Sequence, residues 1–80
     1  MPTIHRDRGF RFYFYSHEPN EPPHVHVDKG GASAKVWLQP IALASNHGYS
    51  SKDLSRILQI IRAQQFTMIR EWHDFFDTDR

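Results

Sequence analysis

Gly30-Gly31 restricts the fold more than any other feature of this chain, because it stands between two stretches that alternate in polarity and are just long enough to pair. Upstream, His24, His26 and Asp28 alternate with Val25 and Val27; downstream, Ala32, Ala34, Val36 and Leu38 alternate with Ser33, Lys35, Trp37 and Gln39. Two glycines predict a tight two-residue hairpin turn, since only glycine takes positive φ freely at both central positions. Such a turn pairs Lys29 with Ala32. Counting outward sets Val27 opposite Ala34, His26 opposite Lys35, Val25 opposite Val36 and His24 opposite Trp37. The apolar faces of the two strands then coincide, so turn chemistry and alternation support each other.

A third strand precedes this hairpin. Phe10, Phe12 and Phe14 alternate with Arg11, Tyr13 and Tyr15, giving one wholly apolar face. The stretch from Ser16 to Pro23 is rich in proline and reads as a loop, and Pro40 ends the last strand. Beyond Ser50 the period changes to about 3.6, with Leu54, Ile57, Leu58, Ile61, Met68, Trp72, Phe75 and Phe76 on one face. Ser50 with Asp53 resembles a capping box. The expected architecture is α+β: a three-stranded antiparallel meander (about 9–16, 23–29 and 32–39) packed on one long C-terminal helix (about 51–76). At 1.5 Å per residue that helix is about 39 Å long, longer than its strands. It either bends near Gln64-Gln65 or carries Trp72, Phe75 and Phe76 past the sheet, as an interface for a second surface.

The chain has 80 residues, which leaves room for one domain (1–80). It has no cysteine, so disulfides and thiolate metal sites are excluded and a reducing cytoplasm suits it. The formal charge of +1 removes any bulk electrostatic case for nucleic acid and requires a basic patch to be local. No apolar run approaches a membrane span, and the first residues lack the core of a signal peptide. A cytoplasmic protein is expected, with no membrane partner.

With the helix on the all-apolar face, the opposite sheet face carries Arg11, Tyr13, Tyr15, His24, His26, Asp28, Lys35, Trp37 and Gln39. Aromatics interleaved with cations suit stacked, unpaired RNA bases. The same residues suit a partner protein or a homodimer contact. His24, His26 and Lys35 form a candidate catalytic set for metal-independent ribonuclease chemistry. One imidazole would act as base and the other as acid, while Lys35 disfavours the charged form of His26 and stabilises an oxyanion. The structural alternative is that His24 packs on Trp37 and the pair only braces the proline loop. A further alternative is a metal site at His17, His24 and His26, with Glu18 nearby. Apart from that alternative, the residues call for no cofactor.

Several stretches together resemble one small prokaryotic family, the domain of unknown function 4160: Met1-Pro2-Thr3-Ile4, Gly9 to Tyr15, Pro22-Pro23-His24-Val25-His26-Val27, Gly30-Gly31 with Ala34-Lys35, and Glu71 to Phe76. The most specific block is Pro22-Pro23-His24-Val25-His26, preceded by His17 and Asn20. The resemblance spans nearly the whole chain. It implies a component of a toxin-antitoxin-like pair with a small partner protein, and it assigns no catalytic residues. The reading taken forward is a toxin-like component acting through the His and aromatic face, with RNA as a candidate ligand. Alternatives are a non-catalytic interaction module and a His-based metal binder.

Overall fold

The computed structural model describes residues 3–15 and 20–76, and in it the alternating half of the chain builds five strands rather than three. They are β1 (Thr3–Asp7), β2 (Phe10–Tyr13), β3 (His24–Lys29), β4 (Ala32–Leu38) and β5 (Ile41–His47), followed by the helix α1 (Ser51–Phe76). Neighbours in sequence are neighbours in the sheet, all antiparallel, so β1 and β5 form its edges. The central hairpin has the register that its turn demands, from Lys29 opposite Ala32 to His24 opposite Trp37. Positive φ falls on Gly30 alone of the two turn glycines, the pattern of a type II′ turn, so only the first position requires glycine.

Both additional strands are joined through two-residue turns. Arg8 and Gly9 have φ of 53° and 86°, the paired positive values of a type I′ turn, and bring Asp7 opposite Phe10. At the other edge Gln39-Pro40 carries a cis peptide bond and returns the chain so that Ile41 faces Leu38. Pro40 therefore ends β4 and also begins a hairpin. The expected strand 9–16 is shorter, because pairing stops at Tyr13; residue 16 lies outside the described residues.

Helix α1 runs without interruption over 26 residues. The hydroxyl of Ser50 accepts from the Asp53 amide at 3.2 Å, which satisfies one of the free N–H groups of the first turn. Ahead of it, the Asn46 side chain accepts from the Tyr49 amide at 3.0 Å and donates to the Tyr49 carbonyl at 3.1 Å, fixing the approach from β5. Phe10, Phe12, Phe14, Val25, Val27, Val36 and Leu38 face Ile57, Ile60, Ile61, Met68 and Trp72 in one core. Full burial of each such side chain contributes roughly 1.5–3 kcal/mol.

The end of α1 does not overhang. Trp72 is 2% exposed and belongs to the core, so it is not available as an interface residue. Its ring meets Phe14 edge-on at 5.2 Å and lies 4.7 Å from the His24 ring. Phe14 continues past the last paired residue of β2 and also contacts Phe75 and Phe76, which extends the apolar floor beneath the last turns of the helix. Phe75 is 40% exposed. Gln65, where a bend was a possibility, instead donates to the Leu38 carbonyl at 2.7 Å. Among the described residues no helix is long and apolar enough to cross a membrane.

Candidate functional site

The sheet face opposite α1 is built from rows that cross the strands. One row runs Thr3, Tyr13, His26, Lys35, Ser45 over all five strands. A second runs Arg6, Arg11, Asp28, Ser33, His47. Side chains in one row are close enough to interact, and here aromatic rings and cations stand side by side.

His26 is the half-buried centre of this face. The Tyr13 ring stacks on it at 5.6 Å, the Tyr15 ring meets it edge-on at 4.2 Å, and the His24 ring meets it edge-on at 5.1 Å. The Tyr13 hydroxyl donates to Asp28 Oδ1 at 3.0 Å, so the Tyr15 hydroxyl, 3.4 Å away, is the donor to Tyr13. Burial, reinforced by those two hydrogen bonds, pushes the Tyr13 hydroxyl far above its ordinary pKa and keeps it protonated. Tyr13 is only 3% exposed, so it braces the face from within.

Two cations of the face, Arg11 and Lys35, are held by neighbours, while Arg6 stands exposed on the edge strand β1. Arg11 lies 4.6 Å above the Tyr13 ring and donates through Nε to Thr3 Oγ1 at 2.8 Å. Lys35 lies 4.6 Å from the centre of the Trp37 ring and donates to Glu21 Oε1 at 2.5 Å, with its side chain only 22% exposed. Its charge is thus engaged before any ligand arrives. Thr3 and Glu21, which do this holding, carry no sequence pattern that marks them; each is brought in by tertiary structure.

His24 departs from the expected placement. Alternation assigns it to the open face beside His26, yet its ring is fully buried. Pairing between β2 and β3 ends at Tyr13 and His26, so His24 keeps a ladder partner on one side only, Trp37 of β4, and its other side is open to tertiary contacts. There Trp72 reaches it, Trp37 meets it edge-on at 5.5 Å, and Nδ1 lies 3.0 Å from the Pro22 carbonyl oxygen. With Nδ1 donating to that carbonyl, Nε2 is the nitrogen left for other contacts. His24, His26 and Lys35 are therefore neighbours, but not three groups presented to one ligand.

His17 and Glu18, part of the metal alternative, lie outside the described residues. Among the described residues no group of three or more metal-binding side chains converges. Of the proposed binding residues, Arg11, Tyr15 and Trp37 are half-exposed and line one surface with His26.

No curated protein and no solved structure matches this chain. The model of one family, described as Domain of unknown function (DUF4160), matches residues 9–73, from the turn before β2 to the last turns of α1, and the chain belongs to that family.

Proposed function

We propose that this protein is a non-catalytic binding module whose recognition surface is the sheet face centred on His26, and that its ligand is a partner protein, the second component of a toxin-antitoxin-like pair. The observation that carries this reading is the state of the cations: Arg11 and Lys35 each lie over a ring and are already bonded to a neighbouring side chain. A surface of rigid Tyr, Trp, His and Arg side chains whose central charges are internally satisfied, with the exposed Arg6 at its edge, has the composition of a protein interface core with a polar rim. It loses little conformational entropy on binding, because its rotamers are already fixed.

Ribonuclease chemistry has less support from the same geometry. An acid-base pair must reach the phosphodiester, and His24 is enclosed by Trp37 and Trp72. Lys35 would have to leave Glu21 to meet an oxyanion. For a metal, Nδ1 of His24 is already committed to the Pro22 carbonyl.

The test is co-expression with any small protein encoded beside it. Co-purification should be lost with Trp37→Ala and with Ala42→Arg, the latter adding bulk next to Trp37 at an exposed position without removing a contact. A complex that survives both substitutions in folded protein overturns the reading. Expression alone gives the second arm: growth arrest and RNA cleavage abolished by His26→Ala would establish the nuclease instead.

A further inference from the structure

The outer face of α1 carries a basic stripe that makes no ion pair among the described residues, with one carboxylate, Asp74, at its C-terminal end. Lys52, Arg56, Arg62 and Arg70 are all exposed, and no acidic residue stands between Asp53 and Glu71. None of the four has an ion pair among the described residues, in contrast to Lys35. At 100° per residue, these four side chains, Ala63 and Phe66 fall within roughly 120° of arc, spread over about 27 Å of helix. Phe66 is 86% exposed, the most exposed large apolar side chain described, and has Arg62 one turn before it and Arg70 one turn after.

We propose that this stripe is a binding track for single-stranded nucleic acid, with Lys52, Arg56, Arg62 and Arg70 on the phosphates and Phe66 stacking an unpaired base. Unpaired arginines and lysines on one face supply the sequence-independent affinity for a phosphodiester backbone. An exposed ring between two arginines supplies the stacking platform that every base can use. Other occupants fit less well. A second copy of the helix would set like charges against each other. An anionic lipid surface calls for a broad apolar face, and this arc offers a single aromatic. A stable protein interface calls for an apolar centre, and the helix neighbours of Phe66 are Arg62, Ala63, Arg70 and the half-buried Ile69, which turns towards the core.

The site is on the side of the molecule opposite the sheet face, so the two readings separate by mutation. The probes are fluorescein-labelled 20-nucleotide single strands of mixed sequence, one RNA and one DNA, titrated at two salt concentrations. Four phosphate contacts give a slope of log K against log salt of about −3, or roughly 50-fold weaker binding on going from about 50 to about 200 mM salt. Arg62→Gln with Arg70→Gln should halve that slope, and Phe66→Ala should weaken binding roughly 5- to 150-fold. Trp37→Ala should leave binding unchanged. All three helix positions are exposed, and circular dichroism of the variants checks that they fold. Equal affinity for both strands identifies the shared backbone as the ligand; a preference for RNA identifies RNA. Absence of binding at about 50 mM salt overturns the proposal. So does binding that the helix variants leave intact, or polyglutamate or phosphatidylserine vesicles binding while neither oligonucleotide does.

Discussion

The two broad faces of this molecule each carry arginine and lysine, but in opposite states. At the centre of the sheet face Arg11 is bonded to Thr3 and Lys35 to Glu21, and these two cations lie over aromatic rings, while Arg6 stands exposed at the edge. On the outer face of α1, Lys52, Arg56, Arg62 and Arg70 stand exposed, and the stretch from residue 54 to residue 70 holds no carboxylate. A charge that is bonded within the fold helps to set the shape of a surface, whereas an unbonded one is available to a ligand. The formal charge of +1 is silent on this difference. It follows that substitutions on the sheet side should cost stability and those on the outer helix side should not.

The largest loss is expected at Trp72, where the helix is fastened to the sheet end through Phe14 and His24. Trp72→Ala should destabilise the chain by about 3–5 kcal/mol, read from the urea midpoint. A cost below about 1 kcal/mol would return Trp72 to the surface and undo the account of why His24 is enclosed. Next comes Tyr49, whose hydroxyl donates to the Val27 carbonyl at 2.9 Å in the core. Tyr49→Phe removes this second donor from a carbonyl already in the ladder with Ala34 and should cost about 1–2 kcal/mol. Burial, with the carboxylates of Asp28 and Asp53 nearby, raises the Tyr49 hydroxyl from 10.0 to about 12. The folded state thus holds a proton that the unfolded chain releases. The contribution is complete below pH 10 and is lost as pH rises from 10 towards 12. Tyr49→Phe should flatten that part of the stability profile.

The central hairpin register and the bounds of α1 are legible in the sequence because several signals coincide there. Turn glycines agree with alternation, and a capping serine precedes a strict helical period. The edge strands lack such agreement. In β5, Ile41 to Ala44 is IALA, mostly exposed, and an edge strand with little to bury imposes no clean alternation. The available signals were the turns: Arg8-Gly9 marks a hairpin as Gly30-Gly31 does, and Pro40 reads as a stop when it also turns the chain. His24 illustrates a different limit. Period 2 and the pairing with Trp37 say nothing of what covers the ring once β2 has left its side, and there the tertiary contact with Trp72 decides its burial. Of the candidate site, His26 opposite Lys35 is legible from the turn register and Tyr13 only as a residue of the same face; its place opposite His26 and the holding of Lys35 by Glu21 are not legible, because both depend on the path of a loop.

Smaller effects follow on the sheet face itself. Tyr13→Phe deprives Asp28 of its donor and Tyr15 of its acceptor, and should cost about 1–2 kcal/mol. Lys35→Gln removes a partly exposed ion pair with Glu21, and should cost no more than about 1 kcal/mol. If Lys35→Gln proves neutral while Glu21→Gln weakens partner binding, the pair serves recognition more than folding.

The smallest change is expected at Phe66, and its sign is what matters. At 86% exposure the ring gives up almost no burial when it is removed, so no cavity term arises. Alanine has the higher helix propensity, by a few tenths of a kcal/mol in the middle of a helix. Phe66→Ala should therefore leave the urea midpoint unchanged or raise it slightly. A stabilising substitution that at the same time removes binding is the signature of a residue kept for a ligand and not for the fold. If Phe66→Ala instead lowers stability by more than about 0.5 kcal/mol, the ring is packing on its own helix neighbours, and the contrast between a face fixed by internal contacts and a face left open fails at its most exposed point.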